Sequence, residues 1–341
     1  MTESFKFLQD FILQQGGTVA PEATLAEEQV IPTQITKPEF GQALEDTHAI
    51  HIDYNPRRDS PISKLTYFQD GVQRTLLVGH ILYQNFHIPV HFSIVAAVIL
   101  KRKNRKLTVW DKPLIKKSLI IPKQFVSDQD AFNLMPTDVT IVDIPTESPD
   151  YYEIKRLAFQ ASKTERLKCE EELIEKWLES AVGEDLLIID GTIMNFRNEK
   201  AIEKCIGVSK SFRTIYCKLG EYQKILQLKE FERSWAFRFK EAGADPNMGM
   251  RDRISWYLRL RDKDGHNPEF GLVRLEVSLK HEGNIENMAN DISKSIISER
   301  YPASFPDERW HNLIYPIKRC EIYLRSALPS TDSIRASVGR Y

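Results

Sequence analysis

Leu186-Leu187-Ile188-Ile189 is apolar at every position and stops at Asp190-Gly191. A strand without a polar face needs cover on both sides, so this short run commits the chain to a layered α/β architecture. One layer stands just upstream. From Tyr151 to about Ser180 the sequence reads as one long helix, with Ile154, Leu157, Ala158, Leu167, Leu173, Ile174, Trp177 and Leu178 supplying its apolar face. Gly183 closes that helix. Downstream, Glu199 to Lys204 is helical, and Cys205-Ile206-Gly207-Val208 forms a second short strand that delivers Ser209 and Lys210 to a sheet edge.

An antiparallel meander precedes this unit. Leu65 to Gln69 leads into Asp70-Gly71, Arg74 to His80 reads as a returning strand, and His91 to Leu100 is a third run. A short strand is expected over Val139 to Ile144. Later strands are expected over Ser234 to Phe239, Ile254 to Leu260 and Gly271 to Leu279. The last of these alternates Leu272, Val273, Leu275 and Val277 with Arg274, Glu276 and Ser278. Helices follow around 283–300 and after Pro316. The expected fold is α/β, a mixed central sheet (antiparallel meander plus crossover units) flanked by helices, with an N-terminal extension.

Three segments result. Residues 1–45 read as an arm, with Phe5, Leu8, Phe11 and Ile12 on one helical face before Gly16-Gly17, Pro21, Pro32 and Pro38. That face is costly to expose and places the arm at a subunit or partner interface. Residues 46–330 form the main domain, and 331–341 read as an irregular tail.

Composition narrows the function classes. A formal charge of −1 argues against broad adhesion to nucleic acid. Local basic clusters can still guide a phosphate backbone. They are Lys101, Arg102, Lys103, Arg105 and Lys106; then Lys112, Lys116 and Lys117; then Arg251, Arg253, Arg259, Arg261 and Lys263. No apolar stretch approaches the length of a membrane span. Cys169, Cys205, Cys217 and Cys320 match no metal spacing and suit reduced thiols in a cytoplasm.

The two Asp-Gly steps, Asp70-Gly71 and Asp190-Gly191, place carboxylates at the rim of the sheet, although Asp-Gly is also a common turn signal. The strand from Leu186 climbs about 15 Å, a drop the preceding antiparallel helix makes in about ten residues. Counting back from Ser180 brings Glu170, Glu171 and Glu172 to the level of Asp190, with Glu175 one turn away. Glu171 shares a face with Leu167, Ile174 and Leu178 and is the better inward candidate; Glu175 shares that face and Glu172 flanks it. Carboxylates from separate elements suit Mg²⁺ or Mn²⁺ rather than zinc. The chemistry they support is water attack on a phosphodiester, with Lys210 on a phosphate or the developing charge. A terminal helix around Tyr315-Pro316 adds Glu321 as a last acidic ligand, Tyr315 as a nucleotide contact, and Lys318 and Arg319 as backbone clamps.

Asp70-Gly71, the Glu-rich helix before Leu187-Ile188-Ile189-Asp190-Gly191, Ile206-Gly207-Val208-Ser209-Lys210, Arg274-Leu275-Glu276 and Tyr315-Pro316 occur in that order. This order resembles the NurA family of nucleases over roughly residues 60–325. The resemblance implies an RNase H-like core, a homodimer, Mn²⁺ or Mg²⁺, and single-strand endonuclease and exonuclease action on DNA. It further implies a HerA-type hexameric ATPase as partner, in DNA end processing or phage defence. Carried onto this chain, the family aspartates match Asp70 and Asp190, its Glu lies among Glu171 to Glu175, and its Lys is Lys210. The closing motif departs from the family pattern: Cys320 and Glu321 stand where a His or acidic residue is expected. The alternative reading is a catalytically weak or inactive RNase H-like module acting as a DNA-binding or assembly subunit.

Overall fold

A computed structural model describes residues 5–22, 41–55, 65–103, 106–181, 183, 185–193, 196–210, 215–242, 250–263, 265–300 and 310–338. The strands are β1 Thr18–Glu22, β2 Gln42–Ala43, β3 Ile50–His51, β4 Tyr67–Tyr83, β5 Phe86–Lys103, β6 Lys106–Val109, β7 Leu114–Ile121, β8 Val139–Asp143, β9 Leu187–Asp190, β10 Cys205–Ser209, β11 Glu232–Arg233, β12 Phe237–Ala242, β13 Met250–Arg259 and β14 Leu272–Ser278. The helices are α1 Lys6–Gln14, α2 Tyr151–Ser180, α3 Glu199–Lys204, α4 Leu219–Leu226, α5 Ile285–Ser298, α6 Tyr315–Ala327 and α7 Thr331–Val338.

The strands join into one mixed sheet of order β2-β12-β13-β14-β10-β9-β4-β5-β7-β8. β9 runs parallel to both β4 and β10, as the crossovers through α2 and α3 require. β4, β5 and β7, and β10, β14, β13 and β12, are antiparallel neighbours. One face of the sheet buries Phe68, Val98, Ile188, Val208, Leu275 and Trp256 against Ile296 of α5 and Ile317, Cys320 and Leu324 of α6. The other face buries Tyr67, Ala97, Ile99, Leu187 and Ile189 against Cys169, Leu173, Ile174 and Trp177 of α2. The apolar residues Leu187 to Ile189 of β9 are therefore covered on both sides, for the reason their composition gives.

Asp70-Gly71 is not a turn. β4 runs unbroken for 17 residues, with Asp70 opposite Val98 and Gly71 opposite Ala97. The hairpin turns instead at Gln84, which takes φ 54°. The glycine at position 71 answers a close approach: a Cβ there would lie 2.1 Å from Glu170 Oε1 of α2.

The described parts of the arm and of the tail pack on the main body. Phe5, Leu8, Phe11 and Ile12 are buried in the principal core of their own chain, and β1 pairs with β4. The apolar face that pointed to a subunit or partner interface is thus already covered from within. Pro21 sits where the β1–β4 register shifts between Val19 and Glu22, an irregularity that tolerates a missing donor; Pro32 and Pro38 lie outside the described residues. The tail read as irregular contains α7, whose Ile334 and Val338 are buried. Phe11→Ala is expected to lower unfolding stability by about 3–5 kcal/mol, read from urea midpoints. A loss within the ordinary surface range, about ±0.5 kcal/mol, would show that α1 is not part of the core.

Candidate active site

Parallel register sets the two aspartates side by side. Gln69 pairs with Ile189, and Asp70 and Asp190 are the next residues on β4 and β9. Adjacent strands lie about 4.8 Å apart. Alternation along the strands points both carboxylates to the α6 side, in line with Phe68 and Ile188. β9 ends at Asp190, where Gly191 takes φ 103° and its N–H donates to the Val208 carbonyl at 2.9 Å. Asp190 is at the rim and Asp70 is buried beneath it.

Asp70 accepts a hydrogen bond from its neighbour Gly71 N–H at 2.8 Å. Burial pushes its carboxyl well above the usual range, and the Asp190, Glu170 and Glu321 carboxylates push the same way while Lys210 opposes them. Lys210, the residue after β10, reaches back so that Nζ lies 3.0 Å from Asp190 Oδ2. The Lys210 carbonyl accepts from Asn312 Nδ2 at 3.2 Å, which ties its backbone to the turn before α6.

The acidic residue that α2 brings to this place is Glu170. Gln69 Nε2 donates to the Glu170 carbonyl at 2.8 Å, locking helix to strand, and the Glu170 side chain lies over Gly71. Burial raises its pKa, Arg166 at 2.5 Å counteracts that, and Asp190 adds to it. Of the glutamates that the helix-level count brings to this height, the structure turns Glu170 inward rather than Glu171. The buried stripe of α2 runs through Cys169, Glu170, Leu173, Ile174 and Trp177, so Glu170 sits in its centre. Glu171 lies at the margin, where it accepts from the backbone N–H groups of Arg197 and Asn198 before α3. Glu175 accepts from Asn198 Nδ2 at 3.3 Å, and Glu172 pairs with Lys116. None of these three joins the aspartates.

On α6 it is Cys320 that points inward, with Sγ donating to the Phe68 carbonyl at 3.4 Å. Burial and then Asp70 push this thiol well up, so it stays a neutral thiol and a poor hard-metal ligand. Glu321 beside it is clamped by Lys318 at 2.9 Å and Arg325 at 2.8 Å. Burial pushes its pKa upward, but those two cations hold it below the usual range. Arg74 Nη2 donates to the Arg325 carbonyl and Nη1 to the Leu328 carbonyl, both at 2.9 Å, fixing the C-terminal end of α6 against β4. Tyr315 and Arg319 are exposed on the first turns of α6.

Asp70, Asp190 and Lys210 thus lie together on the α6 face, while Glu170 approaches from the α2 face over Gly71 and Glu321 from α6, both near enough to act on the Asp70 carboxyl. All the acidic donors are hard oxygens, which fits Mg²⁺ or Mn²⁺. Among the described residues, however, no three His, Cys, Asp or Glu side chains are grouped so as to hold one ion. Three of the four carboxylates face basic side chains: Glu170 faces Arg166, Glu321 faces Lys318 and Arg325, and Asp190 faces Lys210.

The loop after Asp190 is anchored by a buried charge network. Thr192 Oγ1 donates to Glu276 Oε2 at 2.7 Å and accepts from Arg253 Nη1 at 2.8 Å, while Arg274 Nη2 donates to Glu276 Oε1 at 2.9 Å. Arg253 lies over the Phe239 ring and Arg274 over the Tyr216 ring. Much of the third basic cluster is therefore core: Arg253 and Arg259 are fully buried. The first cluster begins at Lys101, opposite Tyr67, at the end of β9 away from Asp190. Arg102 pairs with Glu299 and Lys117 with Asp138. Arg105 and the Arg251 side chain lie outside the described residues.

No protein-family model matches the chain, and no curated protein matches it. Among the described residues no helix is long and apolar enough to cross a membrane, and the four cysteines are free and buried.

Proposed function

We propose that this chain is a divalent-metal-dependent deoxyribonuclease with an RNase H-like core, acting in the cytoplasm. The observation that carries the reading is the pair Asp70 and Asp190, side by side on β4 and β9 where β9 ends, with Lys210 Nζ 3.0 Å from Asp190. The Asp70 carboxyl is pushed upward first by burial and then by the Asp190, Glu170 and Glu321 carboxylates against the pull of Lys210, an arrangement that a cation relieves. Asp70 and Asp190 would hold Mg²⁺ or Mn²⁺, with Glu170 and Glu321 joining once turned from their basic partners. Such an ion supplies an activated water and stabilises the leaving oxygen of a phosphodiester. Lys210 Nζ, beside Asp190, neutralises charge developing on the scissile phosphate. Gly71 gives Glu170 the space to lie against β4, and the Thr192 anchor holds the loop after Asp190 still. The ordered resemblance to NurA nucleases supports DNA as substrate. It also supports a homodimer and a HerA-type ATPase partner, in end processing or phage defence.

The test is a cleavage time course on linear and circular DNA with the full chain in EDTA, Mg²⁺ or Mn²⁺. Cleavage in either metal and none in EDTA is the expected result. Absence of cleavage in every metal by a folded chain that binds DNA would favour the second reading, a catalytically weak or inactive module. The inward Cys320, which takes the place of a harder donor on α6, is the observation on that side.

A further inference from the structure

The loop joining β13 to β14 opens at the same sheet edge as the carboxylates. Arg259 pairs with Leu272, so residues 260–271 leave the sheet where β14 begins. β14 is antiparallel to β10, with Ser209 opposite Arg274, and this places the loop beside Lys210. Asp190 is two strand spacings from β14, about 10 Å. A chain of hydrogen bonds spans the interval. Gly271 N–H donates to His311 Nδ1 at 2.8 Å, Asn312 Nδ2 to the Lys210 carbonyl at 3.2 Å, and Lys210 Nζ lies 3.0 Å from Asp190 Oδ2.

Two rings of this loop and His311, from the turn before α6, form a continuous stack. Phe270 is sandwiched between His266 at 3.9 Å, with the planes 7° apart, and His311 at 4.1 Å, with the planes 27° apart. Trp310 meets Phe270 edge-on at 5.8 Å, and Arg261 lies over the Trp310 ring at 5.4 Å. Phe270 is buried while His266, at the end of the stack, is exposed. The platform is preorganised. Arg259 donates to the Phe270 carbonyl, and Tyr222 Oη donates to Glu269 Oε1 at 2.7 Å. An exposed ring at the end of a fixed aromatic column, next to a cationic guanidinium, is the feature on which single-stranded bases stack.

We propose that the His266–Phe270–His311 column is a stacking platform for nucleobases of single-stranded DNA, seating the strand beside the carboxylates. The identity of the ligand rests on the nuclease reading; the ring geometry does not. Hydrogen-bond readout plays no part, so the platform is tolerant of sequence and blind to strands without bases.

The experiment measures binding by fluorescence anisotropy in EDTA, with no turnover, using the full chain. The probes are a labelled deoxyadenosine oligonucleotide and an abasic strand of equal length. His266→Ala is expected to weaken binding of the deoxyadenosine strand about tenfold, the loss of one base stack. His266→Phe restores it, and neither variant changes binding of the abasic strand. Near-ultraviolet circular dichroism establishes that both variants are folded. Unchanged affinity in His266→Ala, equal losses on both strands, or no binding of the base-bearing strand by wild type overturns the platform. If the wild-type pattern holds but no metal supports cleavage, the platform stands and the nuclease reading falls.

Discussion

Asp190→Asn is expected to abolish metal-dependent cleavage, and Glu170→Gln to lower it by at least about 10²-fold, while Glu171→Gln leaves it near wild type. The contrast between adjacent glutamates makes the result diagnostic. Glu170 lies over Gly71, within electrostatic reach of Asp190, whereas Glu171 holds the backbone N–H groups of Arg197 and Asn198. Glutamine keeps an amide oxygen that can accept both N–H groups, so Glu171→Gln is expected to lose little stability and no activity, whereas Glu170→Gln is expected to lose activity. Arg166→Gln separates the ion pair from the site: it frees Glu170 from its cation and is expected to retain cleavage. Single-turnover rates at saturating Mn²⁺, alongside urea midpoints, provide the measurement. Equal activity in wild type and folded Asp190→Asn would remove this edge from the chemistry, and a larger activity loss in Glu171→Gln than in Glu170→Gln would restore the other face of α2.

Elements whose burial is written in their composition were legible in the sequence. The span of α2, the apolar run Leu187 to Ile189 of β9 and the β9–α3–β10 order follow from periodicity and from strands without a polar face. The level of the helical carboxylate was legible too, because rise per residue is fixed in both elements. Its rotational phase was not. Glu170 sits amid the buried stripe, and a charged residue there is identified only when its partner across the gap, the missing side chain of Gly71, is known. Asp70-Gly71 reads as a strand end because Asp-Gly marks turns, yet it lies within a 17-residue strand, where glycine makes room rather than bending the chain. The alternation along β14 suggested Arg274 and Glu276 on a polar face. Both are buried, since the sheet partners of β14 bring Arg253 and the Phe239 ring to the same side. Local pattern cannot show a compensating charge on the neighbouring strand.

That compensation makes Glu276 the residue whose loss is expected to damage the fold most. Its carboxylate is fully buried between Arg253 and Arg274, with Thr192 as a further donor. Glu276→Ala leaves two buried guanidiniums without their anion and is expected to cost about 3–5 kcal/mol. Replacing Arg253 as well, in Glu276→Ala/Arg253→Met, removes one uncompensated charge and is expected to recover part of that loss. Burial opposes ionisation of Glu276, but Arg253 and Arg274 hold its folded pKa below the ordinary value. A carboxylate depressed in the folded state contributes stability that is fully present above its unfolded pKa, about 4.3, and is lost as pH falls toward the folded value. Wild type is therefore expected to lose stability on acidification below that point, and Glu276→Ala to show a shallower acid slope from a lower starting stability. Urea midpoints across pH 3 to 7, within the range over which carboxylates titrate, test both parts. A Glu276→Ala variant as stable as wild type at neutral pH would show that the two arginines are solvated without Glu276, and the Thr192 anchor would then hold the loop after Asp190 through Arg253 alone.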